Sequence, residues 1–453
     1  MTAAEKVEQL LLRTSASPAD SNSELKNLYD EGSFIEVGFF NNCSVVTGYG
    51  TINGKLVCGY SQNGTVNAVH AKKIARIYEL ALEIGTPIVG ILNSEGVELN
   101  DISGSFENYG NLLTTQTKAS GVVPQISIIK GDCIGMAAFI PALSDFAFII
   151  DKSRMFINSP NTLKGMDGKS LSYDSFGGSK ACVEKGTAAE AFDNIEDCFT
   201  KVKEIISLLP SNNIDEALEE TTDDLNREDE SLNSIIEDDN SPIDIISIIK
   251  SVADNMNFTE LREAYANEII TGFIKLDGIT TGVIANNGLI TAEATDKAYS
   301  FVNFCDCFNI PILTFTDIIG YEKSAVEEQK GIIKNSAKLI SAFISATVPK
   351  INVILRNALG SGYLLMNSKT TGADIIYAWP SAIIAALNKE SASEIFKMDE
   401  NEYDTVTSPY YYAEKGQVDG IIIPAATRKR IIAAMGMLFT KRNGTPDKKH
   451  NSI

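Results

Sequence analysis

An internal duplication is the feature that most constrains how this chain can fold. The matching stretches are 47–54 with 271–278 (TGYGTING and TGFIKLDG), 85–96 with 309–320 (GTPIVGILNSEG and NIPILTFTDIIG) and 123–139 with 348–364 (VPQISIIKGDCIGMAAF and VPKINVILRNALGSGYL). The offset is 224 residues for the first two pairs and 225 for the third, so one residue has been inserted. Looking for such repeats before anything else prevents a fold from being misassigned. We therefore predict two domains of one α/β fold, at 1–240 and 241–453.

Each half contains short apolar stretches rich in β-branched residues that alternate with helical patterns. The stretches are 88–92 and 126–129 in the first half, and 312–316 and 351–355 in the second. Strands alternating with helices predict right-handed βαβ units and a parallel sheet. Ligands of such sheets bind at the carboxyl ends of the strands. The repeated glycines follow these strands, so we expect them at the binding edge.

An acidic stretch lies between the halves. Residues 215–239 contain twelve Asp or Glu and a single arginine, Arg227. Such a charge run is by default a solvated linker or a surface helix, and we place it at the end of the first domain. Ser241 and Pro242 suit the start of the next helix.

Composition excludes several classes of function. The net charge of −20 argues against nucleic-acid binding. No apolar run reaches the ~20 residues of a membrane span, and seven cysteines without a CxxC pair indicate reduced thiols in a cytoplasmic protein. With only two histidines, a catalytic triad would have to use His70, and no zinc site is expected. A phosphate-bearing ligand would need Lys72, Lys73, Arg76 or the TRKR run at 427–430.

Two glycine turns carry the predicted chemistry. The first glycine turn is at Gly135–Met136, where Gly131 and Gly135 permit a sharp bend before a helical stretch that ends near Leu143. The second glycine turn is at Gly360–Gly362. Backbone N–H groups in the first turn of a helix have no internal partner and attract anions. Directed at a thioester oxygen that becomes negative, such donors contribute about 3–4 kcal/mol each. A single turn of this kind would be an ordinary break between two elements. Its recurrence at matched positions in both halves favours a functional interpretation.

The whole chain also resembles a known family, the carboxyltransferase subunits of biotin-dependent acyl-CoA carboxylases and decarboxylases. Propionyl-CoA and methylmalonyl-CoA carboxyltransferases and glutaconyl-CoA decarboxylase α subunits are its nearest types. The stretches that carry the resemblance are VVTGYGTING, VHAKKIARIYELA, ASGVVPQISIIKG, FCDCFNIPILTFTD, ATVPKINVILRNA, KTTGADIIYAWPSAIIA, SPYYYAEKGQVDGIIIP and the terminal KRNGTPDKKHNSI.

The resemblance implies two tandem crotonase-type (ClpP-like) domains and a homo-oligomer, a hexamer built as a trimer of dimers. It implies acyl-CoA as substrate, no metal and no tightly bound cofactor. Biotin would arrive on a separate biotinyl carrier protein, with biotin carboxylase or decarboxylase subunits as partners. By motif, N–H groups of the first turn would hold the acyl-CoA oxygen and those of the second turn the biotin ureido oxygen. The implied residues are Gly135, Met136, Ser361 and Gly362 as catalytic groups, and Gly96, Gly131, Gly320, Tyr321, Gly360 and Leu364 as lining groups, with Leu364 tuning acyl-chain selection.

Several motifs depart from the family pattern. Met136 replaces a glycine, Ile319 replaces a proline, and NSEGVEL at 93–99 lacks the arginine expected after the central strand. The loop QNGTVNAVHAKK at 62–73 is shortened. Two hypotheses about function therefore remain. The chain is either an active carboxyltransferase with a divergent acyl substrate or a weak or inactive paralogue that serves as a structural subunit.

A third reading is an unrelated crotonase-type hydrolase or isomerase. That chemistry needs a carboxylate base in the pocket, which Glu95 or Glu98 would have to supply.

Overall fold

The computed structural model describes residues 2–14, 19–38, 43–65, 67–96, 98, 100, 102–158, 172–216, 220–237 and 242–442. The terminal motif from residue 443 onward lies outside these ranges, as do Val66, Val97 and Leu99 of the quoted loops. The described chain divides into two compact units, Met1–Glu216 and Ala217–Ile453.

The first unit is an α/β sandwich around one sheet. Its strands are β1 Ile35–Val37, β2 Val45–Ile52, β3 Lys55–Asn63, β4 Ile88–Ser94, β5 Gln125–Ile134, β6 Phe146–Ile150, β7 Arg154–Phe156 and β8 Glu190–Phe192. The order is β1-β2-β3-β4-β5-β6-β8, with β7 beside β5. The β1–β2 and β2–β3 pairs are antiparallel, and the remaining pairs are parallel.

Helices cover this sheet and connect its parallel strands. They are α1 Ala3–Thr14, α2 Ala19–Leu28, α3 Ala68–Ile84, α4 Ile102–Ala119, α5 Phe139–Ala142, α6 Asp174–Gly177, α7 Ser179–Glu184 and α8 Ile195–Leu208, with a 3₁₀ turn at Gly135–Ala138. Between α3, α4 and the sheet lies a core with fully buried Ile74, Ile77, Leu92 and Leu112. Burial of each such side chain contributes about 1.5–3 kcal/mol.

The second unit repeats this topology. Its strands are β9 Thr259–Leu261, β10 Ile269–Leu276, β11 Ile279–Asn286, β12 Ile312–Ile318, β13 Lys350–Leu359, β14 Ile375–Ala378, β15 Ile383–Ala385 and β16 Gly420–Ile421. The order β16-β14-β13-β12-β11-β10-β9, with β15 beside β13, is that of the first sheet. The antiparallel pairs are again the first two along the chain. The predicted duplicated α/β fold is therefore confirmed.

The helices of the second unit follow the same plan and extend beyond it. They are α9 Ile245–Val252, α10 Ala292–Cys307, α11 Ala325–Gln329, α12 Ile332–Ser345, α13 Gly360–Leu365, α14 Lys389–Phe396, α15 Glu400–Thr407, α16 Pro409–Glu414 and α17 Thr427–Leu438, with 3₁₀ segments at Glu230–Glu237, Asp254–Met256, Lys369–Thr371 and Pro424–Ala426.

Duplication extends to the hairpin turns. Asn53–Gly54 and Asp277–Gly278 are both left-handed, with φ of 51° and 77° and of 54° and 72°, as a two-residue type I′ turn requires. The Asp30 carboxylate accepts from both N–H groups of the first turn, at 3.0 and 2.9 Å. Asp254, 224 residues later, accepts from the second turn at 3.3 and 2.8 Å. Only Asp254 is also paired with a buried arginine, Arg428, at 2.6 Å.

The acidic stretch differs from the predicted linker. Asp215 and Glu216 belong to the first unit, whereas residues 220–237 pack on the second unit, where Leu232 joins the core. Arg227 donates to the Ser251 carbonyl at 2.9 Å, and the Asp229 carboxylate accepts from the Ser251 hydroxyl at 2.6 Å. These contacts group residues 220–237 with the second unit, whereas the sequence placed the boundary at 240/241. The first helix after the stretch begins at Ile245 rather than at Pro242.

The central strands are longer than the sequence predicts. β5 continues from Ile129 to Ile134 because it leaves β6 and pairs with β7 over Asp132–Ile134. Gly131 therefore lies inside a strand, which corrects its predicted place in the turn. Its missing side chain is still required, since a Cβ there would lie 2.2 Å from Asn93 Oδ1.

Candidate active site

Both glycine turns lie where the central parallel strands of their sheets end. The last β4–β5 pair is Ser94 with Cys133, and Gly96 and Gly135 each follow two residues later. In the second sheet Ile318 pairs with Ala358, and Gly320 and Gly360 again follow two residues later. The duplication thus places four of the predicted glycines at the carboxyl edges of the two sheets, the edge at which α/β sheets bind ligands.

The first glycine turn presents unshielded backbone. Gly135 has φ of 64° and begins the 3₁₀ turn, and no side chain of the described residues caps it. A Cβ on Gly135 would meet nothing within 4 Å, so the surface above this peptide is open. The Met136 side chain is half-buried and packs against the core of the first unit. N–H groups that begin such a turn have no partner within it and can bind a negative oxygen.

The second glycine turn is built in the same way and is more crowded. Gly360 has φ of 59°, and α13 begins without a side-chain cap from the described residues. A Cβ on Gly362 would lie 2.9 Å from Ile318 Cδ1 and 3.6 Å from the Gly320 Cα. Gly320 and Gly362 are therefore in close approach, as a shared site requires. Leu364 is 39% exposed on the same helix.

Tyr321 follows Gly320 beside this second turn and is half-buried. Its phenol lies near the hydroxyls of Ser336 and Ser361, and the buried Ser336 Oγ has no hydrogen-bond partner among the described residues. Burial raises the pKa of Tyr321, and the two serine hydroxyls offset part of that rise. The phenol thus keeps its proton at neutral pH and is a donor. Ser336, on α12, was not singled out in the sequence, where it reads as one more residue of a helix.

Polar anchors fix the strand ends beneath the turns, but they differ between the units. In the second unit Asp317 accepts from Arg356 at 2.8 Å and from the backbone and side chain of Asn357 at 2.9 Å each. In the first unit Asp132, which precedes its turn, is held by Arg154 of β7 at 2.8 Å. Charge-assisted bonds of this kind hold the geometry of the turns.

An apolar cavity of about 360 Å³ begins where the first glycine turn ends. Its lining includes Ala138, Phe139, Phe156 and Phe176, with Lys185 among the polar contributors. The cavity could not be predicted from the sequence, because its walls come from the separate elements α5, β7, α6 and α7. Its composition suits an apolar ligand group with one polar end.

The basic residues proposed for a phosphate-bearing ligand have mostly structural roles. Lys73 is 6% exposed and donates to the Val45 carbonyl at 2.6 Å. Arg428 is 2% exposed and pairs with Asp254. Lys72 is exposed. A buried cation must be paired or hydrogen-bonded, which explains why Lys73 and Arg428 are not available to a ligand.

Among the described residues, no arrangement around His70 resembles a catalytic triad. His70 is 3% exposed, and its Nε2 lies 3.2 Å from the Ser44 hydroxyl. That hydroxyl already donates to the Asn63 carbonyl at 2.6 Å, and His70 Nδ1 has no partner among the described residues. Burial lowers the pKa of His70.

Of the two candidate carboxylate bases, one is exposed to solvent and the other is hydrogen-bonded to a side chain. Glu95 is exposed, and Glu98 accepts from the Asn67 side chain at 3.2 Å. Asn67 in turn caps α3. Within the described residues no group of three or more His, Cys, Asp or Glu could hold a metal ion. No described helix is long and apolar enough to cross a membrane.

Comparison with known proteins gives consistent results over nearly the whole chain. Residues 20–453 match the model of the carboxyl transferase domain family. The methylmalonyl-CoA decarboxylase subunit alpha of Veillonella parvula is 39% identical, with 96% of this chain and 92% of that protein covered. The mitochondrial propionyl-CoA carboxylase beta chain of Homo sapiens is 36% identical, with 94% and 86% covered.

Solved structures agree with these relatives. A transcarboxylase 12S structure, described as a hexamer assembly with hydrolysed methylmalonyl-CoA bound, matches with a TM-score of 0.94 at 33% identity, over 99% of this chain and 98% of that one. A single-chain long-chain acyl-CoA carboxylase shares the fold, with a TM-score of 0.81 at 19% identity over 96% of this chain and 49% of that one.

Proposed function

This chain belongs to the carboxyl transferase domain family, and we propose that it transfers a carboxyl group between biotin on a separate carrier protein and a short acyl-CoA of the propionyl or methylmalonyl type. The single observation that carries the proposal is the pair of uncapped glycine turns, placed alike at the carboxyl edges of two matching sheets. Membership of the family indicates the class of reaction. The two turns offer the backbone N–H donors that stabilise negative charge in that reaction.

Each turn has its own task in this proposal. In the carboxylation direction the acyl-CoA α-carbon loses a proton and gains the carboxyl group, and the thioester oxygen carries negative charge in between. The biotin ring nitrogen that gives up the carboxyl group takes up that proton. The N–H groups of Gly135 and Met136 hold that oxygen. The N–H groups of Ser361 and Gly362 hold the ureido oxygen of biotin as the carboxyl group leaves its ring nitrogen. Preorganised donors of this kind are often the largest single contribution to such a rate enhancement.

The packing of Met136 supports an active first turn. A side chain standing free above the peptide would obstruct the acyl-CoA carbonyl, whereas the half-buried Met136 contacts the core of the first unit. The apolar cavity beside Ala138 is of a size that accommodates an acyl or pantetheine group.

The assembly is part of the proposal. Separate biotin carboxylase or decarboxylase subunits and a biotinyl carrier protein would supply and remove the carboxylated biotin. We propose a hexamer, a trimer of dimers, in the cytoplasm. The transcarboxylase 12S hexamer supports the oligomeric state by analogy.

The test is acyl-CoA-dependent carboxyl exchange with free biotin as the carrier surrogate. Malonyl-CoA, methylmalonyl-CoA and glutaconyl-CoA are each offered as carboxyl donors, and biotin-dependent loss of the carboxyl group is followed. Turnover with any of them supports the enzyme. Absence of turnover, together with absence of acyl-CoA binding by calorimetry, would contradict it and favour a structural subunit. Consumption of acyl-CoA without biotin would instead indicate a crotonase-type hydrolase.

A further inference from the structure

The two glycines of the second turn are required for different reasons. Gly360 has φ of 59°, a left-handed angle that favours glycine, whereas Gly362 lies inside α13 and does not have positive φ. Alanine is a better helix former than glycine, so the backbone gives no reason for a glycine at position 362. The reason is packing, because a Cβ added there would lie 2.9 Å from Ile318 Cδ1 and 3.2 Å from Ile318 Cγ1.

Ile318 is held firmly on its own side of this contact. Its side chain is fully buried, and its backbone pairs with Ala358 at the end of β13. The preceding residue, Asp317, accepts a hydrogen bond from the Asn357 N–H at 2.9 Å. A β-branched side chain also has a stiff first torsion. Ile318 therefore offers Gly362 a fixed surface.

The first unit has the same two positions with the side-chain volume reversed. Ser94 and Ile318 are the last residues of β4 and β12, and both are buried. Ala137 and Gly362 each come two residues after the first glycine of their turn. One unit thus combines a small strand residue with a Cβ on the turn, and the other combines a large strand residue with none. Protein interiors are close-packed and tolerate changes that conserve volume best, so the residues at these two positions belong together.

We propose that Ile318 is a positioning residue of the second glycine turn and acts through Gly362. Its side chain sets where the Gly362 N–H stands. To reach an ordinary contact of 3.4 Å, a Cβ at position 362 has to move about 0.5 Å away from Ile318, and the N–H donor moves with it. A displacement of about 1 Å in a site costs on the order of 100-fold in rate, so we expect about 10-fold for one half as large. This inference rests on the proposed function, which assigns the ureido oxygen of biotin to that turn.

The test is a cycle of Gly362→Ala, Ile318→Val and the double variant, all in the full chain. Gly362→Ala should lower kcat for biotin-dependent carboxyl exchange about 10-fold, with KM for acyl-CoA unchanged because the first turn is untouched. Ile318→Val removes Cδ1, the atom nearest to the added Cβ. The double variant should therefore regain most of the lost rate, which a turn damaged in some other way would not do. Gly436→Ala, at a helical glycine of the same unit whose added Cβ would meet nothing within 4 Å, is the matched control and should keep the wild-type kcat.

The outcomes separate the two proposals. An unchanged kcat in Gly362→Ala, with the wild type turning over, overturns the role of Ile318 and leaves the proposed function intact. A folded double variant as slow as Gly362→Ala does the same, because the loss would then not arise from contact with Ile318. Thermal unfolding establishes that each variant is folded, and Ile318→Ser with Gly362→Ala, the combination of the first unit, replaces a double variant that is not. If the wild type shows no exchange, the proposed function fails and takes this inference with it.

Discussion

Replacing Gly135 by alanine tests the first glycine turn most directly. Gly135 has φ of 64°, and a Cβ added there would meet nothing within 4 Å. The substitution is therefore destabilising only because alanine has to adopt left-handed backbone angles. Those angles cost about 1–2 kcal/mol for a residue with a Cβ. Part of that cost is offset by about 0.4–1 kcal/mol, because alanine restricts the unfolded chain. We expect a net loss near 1 kcal/mol, which lowers the melting temperature by about 2–4 °C for a unit of this size.

The effect on activity should be much larger than the effect on stability. The methyl group stands in the open space above the peptide, where the thioester oxygen has to approach the N–H donors. Loss of one such donor costs about 100- to 1,000-fold in kcat. We therefore expect Gly135→Ala to lower carboxyl exchange by about 100-fold.

Gly54 provides a matched control for this substitution. It also has positive φ, 77°, and open space around the position of a Cβ, but it lies in the β2–β3 hairpin. Gly54→Ala should thus lose similar stability and keep its exchange rate. Both variants are measured by urea denaturation and by exchange with free biotin. If Gly135→Ala turns over as fast as Gly54→Ala, the assignment of an anion to the first turn is wrong.

Three further predictions follow from the rest of the structure. Asp254→Ala leaves the buried Arg428 without its closest carboxylate and should destabilise the second unit by about 3–5 kcal/mol. Asp30→Ala, at the matched hairpin, should cost about 1 kcal/mol. Chemical denaturation measures both variants, and equal losses of stability would refute the role of the buried pair. Burial lowers the pKa of Lys297 to about 8, so the unfolded chain binds more protons between about pH 8 and 10.5 and the free energy of unfolding should rise with pH across that window; Lys297→Met should flatten the rise, and an identical slope in that variant would exclude this lysine as its source. Leu364→Ala should raise kcat/KM for an acyl-CoA one or two methylenes longer by about 10-fold relative to the shorter substrate. If this ratio of kcat/KM values is equal in wild type and variant, Leu364 does not select the acyl chain.

The positions of the candidate site residues could be predicted from the sequence to the level of backbone segments. The repeated glycines followed short apolar strands, and adjacent parallel strands end at one edge, so Gly96, Gly135, Gly320 and Gly360 had to share two sheet edges. The roles assigned to the glycines remain predictions. Gly131 was misplaced because the sequence gives no signal that β5 changes partner and continues to Ile134.

The roles of individual side chains were harder to predict from the sequence. Lys73 reads as a free cation on a helix, but the fold buries it against a carbonyl of β2. Arg428 sits in a basic run, but it pairs with a carboxylate 174 residues away in sequence. The acidic stretch reads as solvated, but Leu232 anchors it to the second core. In each case the partner comes from a distant part of the chain, so local composition could not identify it.

The sequence by itself determined the duplicated α/β architecture and the two glycine turns. Both depend on local quantities: hydrophobic period, β-branched runs and glycines that permit positive φ. Tertiary structure alone decided that Met136 packs against the core of the first unit and that a cavity begins beside Ala138. These facts depend on which surfaces of separate elements face one another. That choice is made by packing, and no single stretch of sequence encodes it.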